Sequence, residues 1–432
     1  MLKGKWLQIA MHALLCMLAF FVSYPYIFAA ATIGLLMVIW LLQANFADIY
    51  KKLKERKWLW PWIGYFLLHA ISYTYSANKS QSAFDLQSKF SLLILPIIIG
   101  AGVSFDKKKL ETIFLSAILG SATIALFCII QACIRVNGEG YFYYKFFFYH
   151  DLVYRLDANA VYVAWHTMLS LTALLLWPWQ FYFNGSAKKW RVLLIILLTA
   201  FFLMLSARML TVVFFIVLIP IYIVKIFRHA RLTRMQIGAT LAIFVIIAGL
   251  LVFTNNPIKK RYADIFQKDI SKAWLKDYRN VPQKDFNNLT LRLMVWRMGF
   301  ENINENNLWL TGSGNGDAQD LQNQKMAAYG IDVNNPDPNK RSEYFNLNMH
   351  NMWFQSLLMI GLPGMLLFML ITLPPLLYVR KIPFKYFFIV FHITALFFMF
   401  QEAALQTQAG VIYYTFFSSI FWNIYYSRKQ LV

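Results

Sequence analysis

The run His350-Asn351-Met352-Trp353-Phe354-Gln355-Ser356-Leu357-Leu358-Met359-Ile360-Gly361-Leu362-Pro363-Gly364 is a border between two kinds of chain. Before it lies a polar segment that reaches back to about Asn255. That segment starts with Lys259-Lys260-Arg261 and later passes Gly312-Ser313-Gly314-Asn315-Gly316-Asp317. After Asn351 the residues are apolar over a length near the roughly 20 residues that cross a bilayer as a helix. Similar apolar blocks fill most of residues 1–254. The polar segment therefore reads as a domain held over a bilayer by a membrane scaffold.

Composition supports that reading. Of 432 residues, 59% are hydrophobic and 14% charged, where a soluble chain carries roughly a quarter charged residues. Solid apolar runs exclude a β-barrel, whose strands alternate in segments of about ten residues. A formal charge of +21 would suggest nucleic acid in a soluble protein. No nucleic-acid motif accompanies it, and basic residues collect in the cytoplasmic loops of membrane proteins. Cys16, Cys128 and Cys133 lie in apolar runs, as small hydrophobes, and imply neither a metal site nor a disulfide framework. Lys3 and Lys5 precede an apolar run without a small-residue cleavage site, which reads as a retained first helix.

The pattern predicts an all-α polytopic membrane protein of about twelve transmembrane helices. The spans fall at about 6–23, 26–43, 58–75, 90–104, 110–133, 160–177, 192–206, 209–224, 236–253, 351–378, 386–403 and 410–426. Residues 1–254 hold spans one to nine, 255–350 form one large, mainly helical loop, and 351–432 hold spans ten to twelve. Residues 51–57 read as a basic loop, and 76–88 as a polar outer stretch ahead of span four. The aromatic-rich run 141–150 suits the headgroup region. With the N-terminus inside, 22 of the 41 Lys and Arg fall on the inner side. The large loop holds 13 of them against 11 of the 20 Asp and Glu, so it is nearly neutral. The positive-inside rule then places both termini in the cytoplasm and the large loop outside, in the periplasm of a Gram-negative cell.

Ionisable groups at membrane depth or at its boundary are functional candidates, because burying them is costly. Arg208, in Ser206-Ala207-Arg208, stands at the outer end of span seven and is followed at once by another apolar run. Its bland reading is a snorkelling anchor. Arg292, Trp296 and Phe300 recur every fourth residue in a helix predicted over 289–302 and share a face. The bland reading there is an amphipathic loop helix with a solvated Arg292. Arg297 falls off that face and reads as solvated.

His350, with Asn351 beside it, stands where the loop re-enters the bilayer. Imidazole titrates near neutrality, as a general base requires. The other histidines read as structural, with His150 beside Asp151 the one rival. Glu402, in Gln401-Glu402-Ala403-Ala404-Leu405-Gln406-Thr407-Gln408, is either an exposed turn residue or the partner that orients an arginine or the histidine. Guanidinium forks hold phosphate bidentately, so two outward arginines and a histidine point to displacement at a lipid diphosphate. Residues 312–317 lack the lysine and the strand–helix setting of a P-loop, and their glycines read as turns.

His350-Asn351, nine residues, then Gly361-x-x-Gly364 resembles the His-[Asn/Ser/Gln]-x9-Gly-x-x-Gly signature of O-antigen ligases. That family sits in a superfamily with O-antigen polymerases and protein O-oligosaccharyltransferases. Ser206-Ala207-Arg208, Arg292-x-x-x-Trp296 followed by Gly312-x-Gly314-x-Gly316, and Glu402 with Gln406-Thr407-Gln408 are similar to further segments of its members. The motif likeness covers about residues 206–410. The resemblance implies a GT-C-like membrane glycosyltransferase that works by inversion, without metal or other cofactor. It moves a glycan from undecaprenyl diphosphate to a sugar hydroxyl of lipid A–core in the bacterial inner membrane. It implies that Arg208 and Arg292 hold the diphosphate and that His350 serves as base. Trp296, Asn351 and Glu402 complete the expected substrate contacts, and the two glycines allow close helix packing. A polymerase using a second lipid-linked glycan, or a protein O-oligosaccharyltransferase, is an alternative within the superfamily. An anion transporter with an arginine vestibule is an alternative outside it. A transporter should carry polar residues near the midplane of several spans, and this chain shows few.

Overall fold

A computed structural model describes residues 2–156, 158–229, 269–279, 281, 286, 288–331 and 346–431, with positions 242 and 249. Among them the regular structure is helical, without strands. The helices used below are α1 (Leu2–Phe21), α2 (Tyr26–Gln43), α3 (Phe46–Glu55), α4 (Leu59–Tyr75), α5 (Lys79–Gly102), α6 (Lys107–Glu139) and α7 (Ala160–Leu176). They continue with α8 (Lys188–Met204), α9 (Arg208–Ile226), α10 (Asn288–Glu305), α11 (Ala318–Ala328), α12 (Met352–Thr372), α13 (Lys385–Gln401) and α14 (Gln408–Leu431). Among the described residues, five helical stretches are long and apolar enough to cross a membrane: α2, α5, α6, α9 and Met352–Lys381. Lys5–Phe21, α7 and α13 are shorter and apolar. The architecture fits a polytopic helical membrane protein. The ninth expected span, the basic residues Arg231, Arg234 and 259–261, and positions 332–345 lie outside the described residues.

The core lies at α7 and α14. Both are apolar on nearly every side, and a helix of that composition must be enclosed. Trp165 of α7 stacks on Phe398 of α13 with ring centroids 4.1 Å apart. Asn423 of α14 donates to the carbonyls of Ile99 and Val103, at 2.6 and 2.9 Å. These carbonyls lie where α5 ends in a π-turn and would otherwise want partners.

Three expectations are corrected. Residues 51–55 are not loop but the second half of the amphipathic α3, which buries Ile49 while Lys52 donates to the carbonyl of Ala101. Residues 79–88, read as a polar stretch ahead of the fourth span, are the first turns of α5 itself. Ser82, Asp85 and Lys89 recur at helical spacing and form its buried face. Lys89 is fully buried, with its ammonium 2.5 Å from Asp85. A charge taken out of water needs such a partner.

The third correction concerns α12, expected as an unbroken span. Ile360 (φ −135°, ψ 20°) and Gly361 (φ 68°, ψ −170°) leave the helical region. The chain at 309–314 docks into the gap. Leu362 N–H donates to Trp309 (2.7 Å), Ser313 N–H to Leu358 (2.8 Å) and Gly314 N–H to Met359 (2.9 Å). A Cβ on Gly361 would overlap the Leu310 carbonyl, and its positive φ also favours glycine. Gly361 therefore admits a loop into a broken helix rather than easing helix against helix. The loop is also tied to the scaffold at Asp317, whose carboxylate accepts from the N–H groups of Ala77 and Asn78 at 2.7 and 2.8 Å.

Candidate active site

His350 is the last residue before the cap of α12. Asn351 is that cap, and its side-chain oxygen accepts from Phe354 N–H at 3.1 Å, satisfying one of the free donors at a helix start. The other end of its amide donates to the Phe400 carbonyl at 3.2 Å, which ties α12 to the end of α13. The Met349 carbonyl accepts from the Trp296 indole at 2.7 Å, and Met349 N–H donates to Gln355 at 2.9 Å. His350 N–H donates to the Asn348 side chain at 2.8 Å. His350 itself has φ 41°, a conformation that persists in a non-glycine residue only where its surroundings enforce it.

These bonds aim the imidazole at Glu402. His350 Nδ1 lies 3.1 Å from one carboxylate oxygen. Arg292, from α10, lies 3.1 Å from the other. Glu402 thus bridges the polar segment's arginine and its histidine from the end of α13. Burial alone would push the Glu402 carboxyl up. The hydrogen bond and charge of His350, with the charge of Arg292, outweigh that and hold it below its ordinary value near 4.5. An ionised carboxylate only accepts, so His350 Nδ1 is the donor in this contact.

Arg208 opens α9 after the left-handed Ser206 (φ 50°). It lines a cavity of about 50 Å³ together with Arg292 and Glu402. Arg292 Nε is buried with no hydrogen-bond partner among the described residues. Two guanidiniums beside one carboxylate leave an excess of positive charge at this cavity, which suits an anion with several acceptor oxygens.

Arg208, Arg292, Glu402 and His350 are therefore brought together. Glu402 is not an exposed turn residue, since its side chain is 16% exposed and doubly paired. Trp296 and Asn351 were expected to touch substrate, but their polar groups are engaged within the fold. The Trp296 ring also packs edge-on to Phe354 and Phe400. Arg297 was expected in solvent. Instead it is 14% exposed and lies over the Tyr329 ring at 4.7 Å, with Glu301 at 3.5 Å. Sequence reasoning missed Tyr149, Asn288 and Gln401, which also line the cavity. Tyr149 belongs to the aromatic run assigned to the headgroup region, and its ring lies against that of His150, 3.9 Å between centroids. No spacing in the sequence links it to Arg208.

No curated protein sequence matches the chain. Residues 160–369 match the family model described as O-antigen ligase. The matched stretch starts at α7 and ends within α12, so it contains Arg208, Arg292 and His350, while Glu402 lies beyond it. Residues 160–369 of this multi-pass membrane protein are thus similar to the O-antigen ligase family, a likeness that supports a glycosyltransferase-type activity.

Proposed function

We propose that the chain transfers a glycan from undecaprenyl diphosphate to a sugar hydroxyl of lipid A–core. The observation that carries this reading is the Arg292–Glu402–His350 chain of contacts beside a cavity shared with Arg208. In the proposed step His350 Nε2 takes the proton of the acceptor hydroxyl, whose oxygen bonds to the anomeric carbon of the donor. The bond from that carbon to the diphosphate oxygen breaks, and the lipid diphosphate leaves with the electron pair. Arg208 and Arg292 meet the charge that grows on the leaving oxygens, where fixed donors are worth most. Glu402 stabilises the imidazolium and holds the ring's orientation, as a carboxylate does for a catalytic histidine. The arginines take the role a metal ion plays in other diphosphate enzymes, so the reaction is proposed as metal-independent.

The same reading puts the enzyme in the bacterial inner membrane, with about twelve spans, both termini in the cytoplasm and the loop at 255–350 in the periplasm. The basic inner loops support that orientation. The experiment incubates purified protein with undecaprenyl-diphosphate glycan and either lipid A–core, a serine-containing peptide, or no acceptor. Glycan attached to lipid A–core is the expected product. Longer lipid-linked glycan without acceptor would make the enzyme a polymerase, and glycopeptide would make it a protein glycosyltransferase.

A further inference from the structure

A separate cavity, of about 430 Å³, opens between the C-terminal end of α6 and residues 151–155. That is within the roughly 300–1,000 Å³ of sites that hold small ligands. Its α6 wall is one stripe of the helix: Gln131, Arg135 and Gly138 follow at steps of four and three and share a face. The opposite wall carries Asp151 and Arg155.

The walls hold charges of both signs. Arg135 and Asp151 stand 3.7 Å apart with side chains 39% and 49% exposed. An ion pair that long between exposed groups is worth little, so both can turn to a ligand. The Phe146 ring supports the Arg135 guanidinium from 3.9 Å. Glu139 also lines the cavity and is the last residue of α6, which ends on Gly140 at φ 72°. The last carbonyls of a helix lack partners within it and carry a partial negative charge. Glu139 adds a full one, so that end of the cavity favours a cation. The two guanidiniums favour a phosphate. A zwitterion with a phosphate and an ammonium group a few atoms apart satisfies both.

Depth indicates where such a ligand comes from. Residues 112–134 of α6 carry no charge. At about 1.5 Å per residue they rise about 35 Å, slightly more than the roughly 30 Å of a bilayer's hydrocarbon core. Arg135 therefore stands at headgroup level. Tyr141, Phe142 and Tyr154 nearby are exposed, as aromatic side chains at a membrane boundary are. Phe127, Ile130 and Ile134 are exposed along the same stripe as Gln131 and Arg135, and form an apolar track that leads from the bilayer to the cavity.

We infer that this cavity binds the headgroup of a glycerophospholipid with a primary ammonium. Its phosphate meets Arg135 and Arg155, its ammonium meets Glu139 and Asp151, and its acyl chains lie along α6. The inference does not depend on the glycosyl-transfer reading. A phospholipid without the ammonium would leave both carboxylates facing its phosphate, and a trimethylated ammonium has no N–H to donate to them. Tyr149, two residues before Asp151, lines the arginine cavity, so the bound lipid would steady a segment that serves both cavities.

The full-length protein, delipidated in detergent, is titrated by native mass spectrometry with phosphatidylethanolamine, phosphatidylcholine and phosphatidylglycerol of the same acyl chains. Glycerophosphoethanolamine, which has the headgroup without the chains, is the fourth probe. Phosphatidylethanolamine should bind about tenfold tighter than the other three, the scale of one or two hydrogen bonds to charged groups. Glu139→Gln should remove most of its preference over phosphatidylcholine. Arg155→Gln should weaken both lipids, and Glu139→Arg should turn the preference toward phosphatidylglycerol. Both positions are exposed, where substitution changes stability little. Equal binding of the three lipids to the wild type overturns the inference, and so does a preference that survives both Glu139→Gln and Arg155→Gln. Glycerophosphoethanolamine binding as tightly as the lipid also overturns it, because the site would then serve a soluble zwitterion.

Discussion

Two cavities, each lined by a residue that hydrogen-bonds His350, are made of opposite materials. One is small, about 50 Å³, and sets Arg208 and Arg292 against the single carboxylate of Glu402. The other is large, about 710 Å³, and is walled by carboxamides. The first can hold an anion tightly because its charges are partly withdrawn from water, where electrostatic interactions are stronger. The second can hold only what many weak, directional hydrogen bonds can hold. The difference teaches that side-chain chemistry alone can suit two cavities of one protein to different ligands, one to an anion and the other to a group held by hydrogen bonds.

The sharpest way to break this comparison is at His350. His350→Ala should lower glycan transfer by about 10²–10⁴, the range for loss of a general base, while the protein still inserts, as membrane fractionation would show. Near-normal transfer would remove His350 from the chemistry and leave the cavities unrelated.

A smaller effect is expected on the charged side. Arg208→Lys keeps the charge and loses the fork, so transfer at low donor concentration should fall about 10- to 100-fold. Full activity of the lysine variant would reduce Arg208 to an interfacial anchor.

Glu402→Gln keeps the shape of the bridge and removes its charge, with an expected cost of about 1–3 kcal/mol from hydrogen bonds to charged partners. The pH dependence has a definite sign. Glu402 has a depressed folded pKa, so its contribution is fully present above its ordinary value near 4.5 and is lost as pH falls through the lower folded value. The difference in thermal stability between wild type and Glu402→Gln should therefore stay level from pH 8 to about pH 5 and shrink only below that. A difference that vanished between pH 8 and pH 6 would show that the bridge depends on something other than this carboxylate.

The smallest effect is expected at Trp296→Phe, which loses the indole bond to the Met349 carbonyl and keeps most of the ring packing. It should cost about 1 kcal/mol of stability, with a modest fall in kcat and little change in either KM. A large rise in donor KM would return Trp296 to direct substrate contact.

Much of the fold was legible because its signals are local. Apolar length, the turn at Tyr24-Pro25 and the four-residue spacing of Arg292 and Trp296 need no knowledge of neighbours, and helices occur where they predict them. The misreadings share one cause. Asp85 and Lys89 look like surface charges in sequence, and only their burial side by side on one face of α5 makes them a pair. The bonds of Asn351 to Phe400 and Phe354 and of Trp296 to Met349 are likewise not recorded in any local spacing.

By itself, then, the sequence determined the membrane character, the helical elements and the identity of Arg208, Arg292, His350 and Glu402 as groups worth watching, since hydropathy and side-chain chemistry are properties of single residues and short runs. The tertiary structure alone decided that Glu402 bridges Arg292 and His350 across 110 and 52 residues of chain. It alone decided that Gly361 breaks α12 to admit the loop, and that ten carboxamides drawn from separate elements face one cavity. Such meetings depend on how distant elements pack, and no local periodicity records them.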